Sequence, residues 1–326
     1  MRCILSLVVV GSLLSPFLHA SVMKIFVDEY KYQGARNAQY QPNGKGRLYD
    51  NKKVIYNGSF VNGEVSGEGE YTRHGSYEGD PNGFVYKGEF VNGVMQGRGI
   101  LITGDESRYS GAFKQGRFDG YGVYSNASTG HNYKGGWKHG VKSGKGELTT
   151  PSGMIFSGVY IEGVLEGKGK IQFPDDRVFS GHFSAGNIAG YGVITYASGV
   201  VVEGDFDSNM EVLGFARVSF PNGDSYVGGF VYGEFDGAGV LESVEGGYRY
   251  DGDFSQGRFH GVGTLEREDG LTYEGDFMYG SFMGEGKLTN ADDSSFEGYF
   301  VDGYPDGEGL CNGSIECEFE SGERIK

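Results

Sequence analysis

The chain has 326 residues, of which 61 are glycine, 23 tyrosine and 23 phenylalanine. So much glycine would suit a disordered chain, but disordered segments are poor in aromatic residues, so this composition favours a folded protein. Its 28 basic and 44 acidic residues give a formal net charge of −16. This charge argues against nucleic-acid binding and against broad adhesion to anionic lipid.

Residues 1–20 differ in composition from the rest of the chain. Arg2 is their only positive charge, residues 4–14 form an apolar run, and the small residue Ala20 precedes Ser21. This order of features predicts a secretory signal peptide cleaved near Ala20, and hence export to a periplasmic, extracellular or secretory compartment. The apolar run is too short to span a bilayer as an ordinary helix. Its retention as a membrane anchor is the alternative.

Residues 21–55 form the next segment, in which seven basic residues stand against three acidic ones, a balance of +4. Within it, Gly44-Lys-Gly46-Arg-Leu48 matches the second half of a unit that recurs in the rest of the chain. The end repeats of an array tend to be atypical. We therefore interpret residues 21–55 as an N-terminal cap that contains a degenerate half-repeat.

The recurring unit reads aromatic-x-Gly-x-aromatic-x-x-Gly-x-x-x-Gly-x-Gly-x-aliphatic and is followed by a polar turn. From Tyr109 onward its copies begin 23 or 24 residues apart. A fixed period of this size predicts an array of one supersecondary unit. Eleven copies fill residues 56–311, beginning at Tyr56, Tyr86, Tyr109, Tyr133, Phe156, Phe179, Val202, Tyr226, Tyr250, Tyr273 and Phe296.

One copy, Tyr273-Glu-Gly275-Asp-Phe277 followed by Gly284-Glu-Gly286-Lys-Leu288, shows the local pattern. Both segments alternate apolar or glycine residues with charged ones, which predicts two half-buried strands per unit. The short segments between units are polar and contain Gly, Asp and Asn, which predicts tight turns. Each unit is therefore expected to be a β-hairpin.

The register between successive units follows from the parity of the apolar residues. Leu265 and Tyr273 must share a face, which places them opposite each other across a three-residue loop at 268–270. Gly263 then pairs with Gly275, and the last residue of the loop, a glycine, adopts a positive φ. We expect the strand glycines to clear space above the sheet, where rings from neighbouring units lie flat.

This unit resembles the MORN repeat (membrane occupation and recognition nexus), whose pattern begins Tyr-x-Gly-x-aromatic and continues through Gly-x-Gly. The resemblance covers residues 56–311 and implies an all-β fold, an elongated single-layer antiparallel sheet of repeated β-hairpins. With strands about 4.8 Å apart, the predicted hairpins would form a rod on the order of 100 Å long. The resemblance also implies a scaffold, a dimerisation element or a contact with phospholipid or membrane.

Two copies depart from the pattern. The copy at Tyr56 is followed by an insertion at residues 72–85. The copy at Val202 has Asn209 in place of a glycine and Gly214-Phe-Ala216 in place of Gly-x-Gly. We interpret both as tolerated irregular repeats, and a bend or partner site near the second is the alternative.

The sequence carries no pattern that predicts catalysis. No segment fits a phosphate-binding loop, and the Gly-x-Gly pairs precede strands rather than helices, so they are not dinucleotide fingerprints. The histidines lie in different units without the spacing of metal ligands, and each is expected to face solvent. We therefore predict no enzyme activity, no catalytic residue, no cofactor and no metal site.

Residues 131–146 form a basic stretch that contains the only tryptophan and no acid. It could bind an anionic lipid head group, an acidic glycan or an acidic protein surface. Lysine's preference for the surface favours the alternative, a solvated patch in which the tryptophan fills the inward position of Phe277. The candidate binding residues are Lys134, Trp137, Lys138, Lys142 and Lys145.

Residues 312–326 are interpreted as a C-terminal cap. Cys311 and Cys317 share a strand face, so a three-residue loop at 313–315 would pair them directly for a disulfide. Export to an oxidising compartment favours this bond. A two-residue turn at 312–313 would instead leave two diagonal, free thiols.

From these features we expect a non-catalytic, exported scaffold or rod that presents its sheet to protein partners. Residues 265–326 carry sixteen acidic against four basic residues, a balance of −12. Attraction between this region and the basic N-terminal cap predicts weak self-association. The alternative is a ligand-binding module that contacts phospholipid head groups or polysaccharide at a membrane or cell surface. No nucleic-acid partner is expected.

Overall fold

The computed structural model of the protein describes residues 24–75 and 83–326. The predicted signal peptide at residues 1–20 therefore lies outside the described residues. The described chain forms two compact units. The N-terminal unit comprises the described part of Val8–Pro174 together with Phe183–Asn187, and the C-terminal unit comprises Asp175–His182 together with Ile188–Lys326.

The N-terminal unit begins with a short 3₁₀ turn (Val27–Glu29) and continues as β-strands. They are β1 (Lys31–Arg36), β2 (Pro42–Asp50), β3 (Lys53–Val61), β4 (Glu64–Arg73), β5 (Phe84–Val91), β6 (Val94–Thr103), β7 (Arg108–Lys114), β8 (Arg117–Ser125), β9 (Asn132–Lys138), β10 (Val141–Thr149), β11 (Ile155–Ile161) and β12 (Val164–Gln172). Each strand from β1 to β11 pairs antiparallel with the next strand in the chain.

Strand β13 (Val178–Ser184) is divided between the two units. The C-terminal unit continues with β14 (Asn187–Thr195), β15 (Val201–Phe206), β16 (Val212–Ser219), β17 (Ser225–Val231), β18 (Glu234–Ser243), β19 (Tyr248–Ser255), β20 (Arg258–Arg267), β21 (Thr272–Met278), β22 (Ser281–Thr289), β23 (Ser295–Val301), β24 (Tyr304–Cys311), β25 (Ile315–Glu320) and β26 (Glu323–Arg324). From β14 onward each strand again pairs antiparallel with the next. The predicted fold class, an all-β antiparallel sheet of repeated hairpins, is confirmed in each unit.

Within a repeat, the two strands are joined by a two-residue turn whose residues both have positive φ. In the hairpin of β21 and β22 these residues are Tyr279 and Gly280, with φ of 51° and 100°. Such values are those of a type I′ turn, whose twist matches the twist of paired strands. Glycine adopts this conformation without steric strain, which explains the glycine three residues after the second aromatic position of the repeat.

Most successive repeats are joined by three-residue loops, as predicted for β20 and β21, whereas residues 127–130 and 244–247 form four-residue loops. Between β20 and β21, Arg267 N–H donates to Leu271 O at 2.9 Å. Gly270, the last residue of the loop, has φ of 90°. The predicted register of this connection is confirmed, with Leu265 paired to Tyr273, Gly263 to Gly275 and Gly261 to Phe277.

The tyrosine that opens a repeat lies over the two glycines of its own hairpin. Gly275 and Gly286 face each other across β21 and β22. A Cβ atom on Gly286 would lie 2.4 Å from Tyr273 Oη, and one on Gly275 would lie 2.8 Å from it. We expected rings of neighbouring units here, but the ring over this pair belongs to the same repeat, because a strand side chain leans along its own strand. Any side chain at either glycine would displace the ring. At Gly169 the expectation holds, since a Cβ atom there would lie 2.9 Å from the Phe183 ring of the next repeat.

Each tyrosine ring is enclosed by rings of its own repeat and of the next one. Tyr273 stacks on Phe282 with 3.8 Å between ring centroids. It also meets Phe277 and Phe300 edge to face, each at 5.1 Å. Equivalent edge-to-face contacts join other successive repeats in both units, and together they form the ring ladder. They are Tyr32–Phe60, Tyr56–Phe90, Tyr86–Phe113, Tyr109–Trp137, Tyr133–Tyr160, Phe179–Phe206, Tyr226–Phe254 and Tyr250–Phe277.

The ring ladder compensates for the glycines in the strands. Burying one large apolar side chain stabilises the fold by about 1.5–3 kcal/mol, and aromatic pairs add about 0.5–1.5 kcal/mol. Glycine within a strand costs only about 0.5–1 kcal/mol. The hydroxyl of the fully buried Tyr273 donates to Asp276 O at 3.0 Å, so burial of the ring leaves no unpaired donor.

A backbone hydrogen bond also ties each turn to the preceding repeat. Gly280 N–H donates to Phe259 O, and Gly303 N–H donates to Phe282 O, each at 2.9 Å. Rings and backbone thus connect a repeat to its immediate neighbours, as in other repeat arrays.

The N-terminal cap retains more of the repeat than the sequence indicated. Tyr32 opens β1, Gly34 pairs with Gly46 across β1 and β2, and the Tyr32 ring lies 4.9 Å from that of Phe60. The half-repeat interpreted as degenerate is therefore a hairpin with its tyrosine and both glycines in place. Its second aromatic position is occupied by Arg36.

The irregular repeat at Val202 also forms a hairpin, made of β15 and β16. Its strands are joined by residues 207–211, where Met210 N–H donates to Asp207 O at 3.0 Å, in place of a two-residue turn. Gly204 still pairs with Ala216. The strand pairing of the array is thus retained where the opening aromatic residue and two glycines, at positions 209 and 216, are replaced.

The hairpin of β24 and β25 contains the two cysteines in a register that neither sequence alternative predicted. Cys311 pairs with Ile315, and Cys317 lies diagonally across from Cys311. The ring ladder explains this register, because Phe319 packs on Phe296 with 4.9 Å between ring centroids and so positions β25. The structure joins the two sulfur atoms across the diagonal, with Cα atoms 5.9 Å apart, inside the usual range for disulfides.

Replacement of Tyr273 by Ala tests the ring ladder. Loss of a fully buried ring should lower the free energy of unfolding of its region by about 3–5 kcal/mol. Because repeats contact only their neighbours, protection from hydrogen exchange should fall in the hairpin of Tyr273 and the adjacent ones. The control is Tyr299→Ala, since that ring is 52 % exposed and its loss should cost less than about 0.5 kcal/mol. Equal effects of the two variants would contradict the ladder.

Mass spectrometry of the unreduced protein tests the disulfide. We expect Cys311 and Cys317 to resist alkylation until a reductant is added. The bond closes a short loop, so its entropic contribution should be below the roughly 3 kcal/mol of a 15-residue loop. Alkylation of both cysteines before reduction would show that the bond is absent.

Candidate functional site

The strands leave one face of the sheet in each unit open to solvent. Side chains alternate along a strand, so the residues between the rings and glycines point away from the ring ladder. In β21 these residues are Glu274 and Asp276. We call this the outward face of each unit. The core does not constrain its chemistry, which differs between the two units.

The outward face of the N-terminal unit carries exposed lysines on β9, β10 and β12. Lys134 pairs with Glu147, and Lys145 pairs with the exposed Val159. Apolar surface therefore lies among the positive charges, which the carboxylates of Glu147 and Glu166 offset only in part. We call this cluster the basic patch, and it consists of Lys134, Lys145, Lys168 and Lys170.

The structure divides the five predicted binding residues between the two faces. Lys134, Lys138 and Lys145 are exposed, whereas Trp137 and Lys142 are buried on the face of the ring ladder. The other two lysines of the basic patch lie in the following repeat and were not predicted. The sequence signal that could have linked them to this site is the alternation of inward and outward positions along each strand, compared between neighbouring repeats.

Trp137 occupies the inward position that was proposed for it in the solvated-patch alternative. Its ring lies 5.6 Å from Tyr109 and 5.1 Å from Tyr133, edge to face in both cases. Its Nε1–H donates to Gly122 O at 3.3 Å. The indole is thus part of the ring ladder and does not face a ligand on the outward face.

Lys142 occupies a position that aromatic or aliphatic side chains fill in other repeats. It pairs with Trp137 across β9 and β10, where β22 has Phe282. The side chain is only 8 % exposed, and Nζ lies 5.7 Å from the ring centroid of Tyr133 and 5.3 Å from that of Tyr160. These are cation–π distances. Burial lowers the pKa of Lys142 to about 8.

His131 is electrostatically coupled to Lys142. Burial lowers the pKa of His131, a hydrogen bond to the Thr129 backbone opposes the shift, and the Lys142 ammonium adds to it. His131 Nδ1 is buried and has no hydrogen-bond partner within residues 24–75 and 83–326, and the same is true of His260 Nδ1. Both histidines are thus only partly exposed, with one ring nitrogen enclosed.

The outward face of the C-terminal unit is acidic and is interrupted by exposed rings. Tyr191 pairs with Asp205, and Tyr299 pairs with Glu285. The two tyrosines are 60 % and 52 % exposed, so the core does not use them. The acidic face comprises these acids and their equivalents: Glu203, Asp205, Asp251, Asp253, Glu274, Asp276, Glu285, Glu297, Glu308, Glu316 and Glu318.

Some acids of this face have a structural role, and others do not. Asp276 Oδ2 accepts the backbone N–H of Glu285 at 3.3 Å and so supports the bulge in β22. In contrast, none of the ion pairs or side-chain hydrogen bonds seen in the described residues uses the carboxylate of Glu274, Glu285 or Glu297. These carboxylates are available to a partner.

Neither a metal cluster nor a membrane-spanning helix is present in the part of the chain that the structure describes. No group of three or more His, Cys, Asp or Glu side chains is arranged there to hold a metal ion. No helix in the same residues has the length and apolar character needed to cross a bilayer.

The pH dependence of stability tests the burial of Lys142. Below about pH 8 the lysine is charged in both the folded and the unfolded chain, so folding bears the full cost of burying the charge. As the pH rises above 8, the folded chain releases this proton before the unfolded chain does, and stability increases. Between pH 7 and 9.5 the gain should be about 2 kcal/mol relative to Lys142→Met.

Buried tyrosines stay neutral throughout this pH range, because burial raises their pKa values. The pKa of Tyr273, for example, is raised to about 12. Lys138→Met is the matched control, because Lys138 is exposed in β9 and its loss should leave the pH dependence unchanged. Chemical denaturation at a series of pH values measures the difference. Parallel curves for the wild type and Lys142→Met would contradict the burial of a charge at this position.

Comparisons with known proteins identify the repeat. The model of the MORN repeat family matches ten segments, which together cover more than half of the chain and leave out the irregular repeat at Val202. They are residues 56–75, 86–108, 109–129, 133–155, 156–176, 179–201, 226–248, 250–272, 273–295 and 296–314. No curated protein matches the chain significantly.

Solved structures give only distant similarities. The wild-type TCP10 domain of Danio rerio CPAP in complex with a peptide of Danio rerio STIL is 12 % identical, with a TM-score of 0.32 over 79 % of this chain and 97 % of that one. The SAS-4 (dCPAP) TCP domain of Drosophila melanogaster, in complex with a proline-rich motif of Ana2, is 14 % identical, with a TM-score of 0.32 over 64 % of this chain and 94 % of that one. Similarities this weak support no conclusion about fold or partner. The assignment follows from the ten matched segments and from the hairpins they form: the chain belongs to the MORN repeat family.

Proposed function

We propose that the chain is a non-catalytic, exported scaffold that binds protein partners through the outward faces of its repeats. The observation that carries this proposal is the acidic face, where the exposed rings of Tyr191 and Tyr299 stand among carboxylates. Exposed apolar groups within a polar surface mark many protein interaction sites. A complementary partner surface carries basic residues next to apolar ones.

Two features support export. Residues 1–20 have the order of charge, apolar run and small residue that signal peptides share. The pairing of Cys311 with Cys317 suits an oxidising compartment, because disulfides are rare in the cytosol. Sequencing the N-terminus of the mature protein tests this part of the proposal, with Ser21 as the expected first residue.

Binding through the acidic face is tested with two variants of equal charge. The face variant changes Glu274, Glu285, Glu297 and Glu308 to Gln, all of which are exposed on the outward face. The control variant changes Glu211, Glu234, Glu245 and Glu268 to Gln, which are exposed at or near turns. Partners are first captured by cross-linking in the native compartment and identified, and their affinity for the purified variants is then measured.

The face variant should bind an identified partner at least tenfold more weakly than the wild type, because each lost charge contact removes complementarity. The control variant should bind as the wild type does, since the two variants have the same net charge. A partner that binds all three proteins equally would overturn the assignment of the acidic face.

A second copy of the chain is the first partner to test. The basic patch of one copy complements the acidic face of another, which would give weak association that fades with salt. Sedimentation at low and high salt should show this change. Reversal of the charge at Lys134, Lys145, Lys168 and Lys170 to Glu should abolish it. A monomer at low salt and high concentration would contradict self-association.

The basic patch also supports the alternative function, a module that binds an anionic lipid head group or an acidic glycan. Its exposed lysines, with Lys138 near them, could neutralise such ligands. Co-sedimentation with vesicles that contain anionic lipid, or with acidic polysaccharide, at low and high salt distinguishes the ligand-binding module from the protein scaffold. Binding there that the charge-reversed patch loses would favour the ligand-binding module over the protein scaffold.

A further inference from the structure

Tyr299 lies on the outward face of β23 and takes no part in the core. Its side chain is 52 % exposed. Within residues 24–75 and 83–326, its ring has no aromatic contact and its hydroxyl has no hydrogen bond. The equivalent position of the two preceding repeats holds Asp253 and Asp276, so the strand does not require a ring here. The packing of the repeat therefore does not explain Tyr299.

Two carboxylates flank this exposed ring. Glu285 on β22 and Asp306 on β24 are the register partners of Tyr299 on its two sides. Directly paired residues of antiparallel strands have Cβ atoms about 4.5–5.5 Å apart on the same face. Asp306 Oδ1 accepts the backbone N–H of Ser321 at 3.1 Å. Asp306 Oδ2 and both carboxylate oxygens of Glu285 have no partner among the described residues, so they are open to a ligand. We call Tyr299, Glu285 and Asp306 the Tyr299 site.

A second exposed ring of the C-terminal unit has a similar setting. Tyr191 is 60 % exposed and pairs with Asp205. Its hydroxyl donates to Glu203 Oε2 at 3.4 Å, and Arg217 is the register partner of Glu203. Because Glu203 is already engaged within the chain, this ring has one open carboxylate beside it instead of two. We call Tyr191 and Asp205 the Tyr191 site.

We propose that the partner of the acidic face is an arginine-rich protein segment, and that the Tyr299 site binds one of its arginine side chains. The Tyr191 site binds a second arginine more weakly. The guanidinium plane stacks on the tyrosine ring, and its N–H groups donate to the flanking carboxylates. This inference rests on the proposed function, because it names the chemistry of the partner that the acidic face binds.

The combination of a ring with carboxylates favours arginine over other side chains. A guanidinium is planar and weakly hydrated, so it can stack on an aromatic face and at the same time pair with a carboxylate. The ammonium of lysine is compact and strongly hydrated, so an exposed ring attracts it less. Anionic groups are repelled by Glu285 and Asp306, since like charges placed together are unfavourable.

The chain itself contains a contact of this kind. In the N-terminal unit, the guanidinium of Arg36 lies over the ring of Tyr32, 5.0 Å from its centroid. The basic patch, in contrast, consists of lysines alone. An arginine-rich segment of another protein should therefore bind the acidic face more tightly than the basic patch of a second copy does.

The test compares two peptides of equal charge in titration calorimetry with the purified, full-length protein. One is a flexible peptide of alternating arginine and serine, and the other has lysine in place of every arginine. The arginine peptide should bind about tenfold more tightly, because stacking at two exposed rings adds to the charge attraction that both peptides share. Equal affinities, or binding of neither peptide, would overturn the recognition of arginine.

Leucine variants locate the site, because they keep an apolar side chain and remove the ring. Tyr299→Leu should weaken binding of the arginine peptide several-fold and leave that of the lysine peptide nearly unchanged. Tyr191→Leu should have the same effect to a smaller extent. The matched control is Tyr232→Leu, since that ring is 90 % exposed at the turn between β17 and β18. Hydrogen exchange verifies that each variant is folded.

The ratio of the two affinities decides between a stacking site and a general effect of the substitution. An arginine preference that is unchanged in Tyr299→Leu, or reduced as much in Tyr232→Leu, would overturn the Tyr299 site. Both peptides replace the captured partner in these measurements. A failure here would therefore remove the recognition of arginine and leave the scaffold function standing, which the glutamine variants of the acidic face test separately.

Discussion

The whole structure depends on one steric relation, a tyrosine ring lying flat over a pair of glycines. Tyr273 can be fully buried only because neither Gly275 nor Gly286 has a side chain, and the ring in turn covers the backbone that these glycines expose. Since each ring also meets a ring of the next repeat, the relation propagates along each unit. A single layer of strands thereby acquires a core without a second layer, which most sheets need.

This arrangement separates stability from function within every strand. On the face of the ring ladder nearly every position requires an aromatic, aliphatic or glycine residue. On the outward face the residue type can vary at little cost to the stability of the fold. The N-terminal unit uses that freedom for the lysines of the basic patch, and the C-terminal unit uses it for the acidic face with Tyr191 and Tyr299. Alternation along a strand, rather than separate domains, supplies the binding surfaces.

The exceptions on the ring face have different physical consequences. At Val202 the opening aromatic residue is lost, and strand pairing together with the Phe179–Phe206 ring contact maintains the hairpin. At Cys317 the glycine position holds half of a disulfide, and the Phe319–Phe296 contact maintains the register. At Lys142 a charge lies where a ring would stack, and the two tyrosine faces stabilise it only in part. Only the last exception places a charged side chain in the core of the described residues.

The sequence by itself determined the period, the hairpins and the register between repeats. Leu265, Tyr273 and the glycines are spaced so that a single strand register places all of them on the same face. It also indicated the basic stretch and the cysteine pair. Tertiary structure decided which face each lysine of that stretch occupies, since strand parity must be followed through the turns and into the next repeat. It likewise decided that Tyr273 covers its own glycines and that the cysteines lie diagonally. Both outcomes depend on ring contacts between strands, which no local pattern specifies.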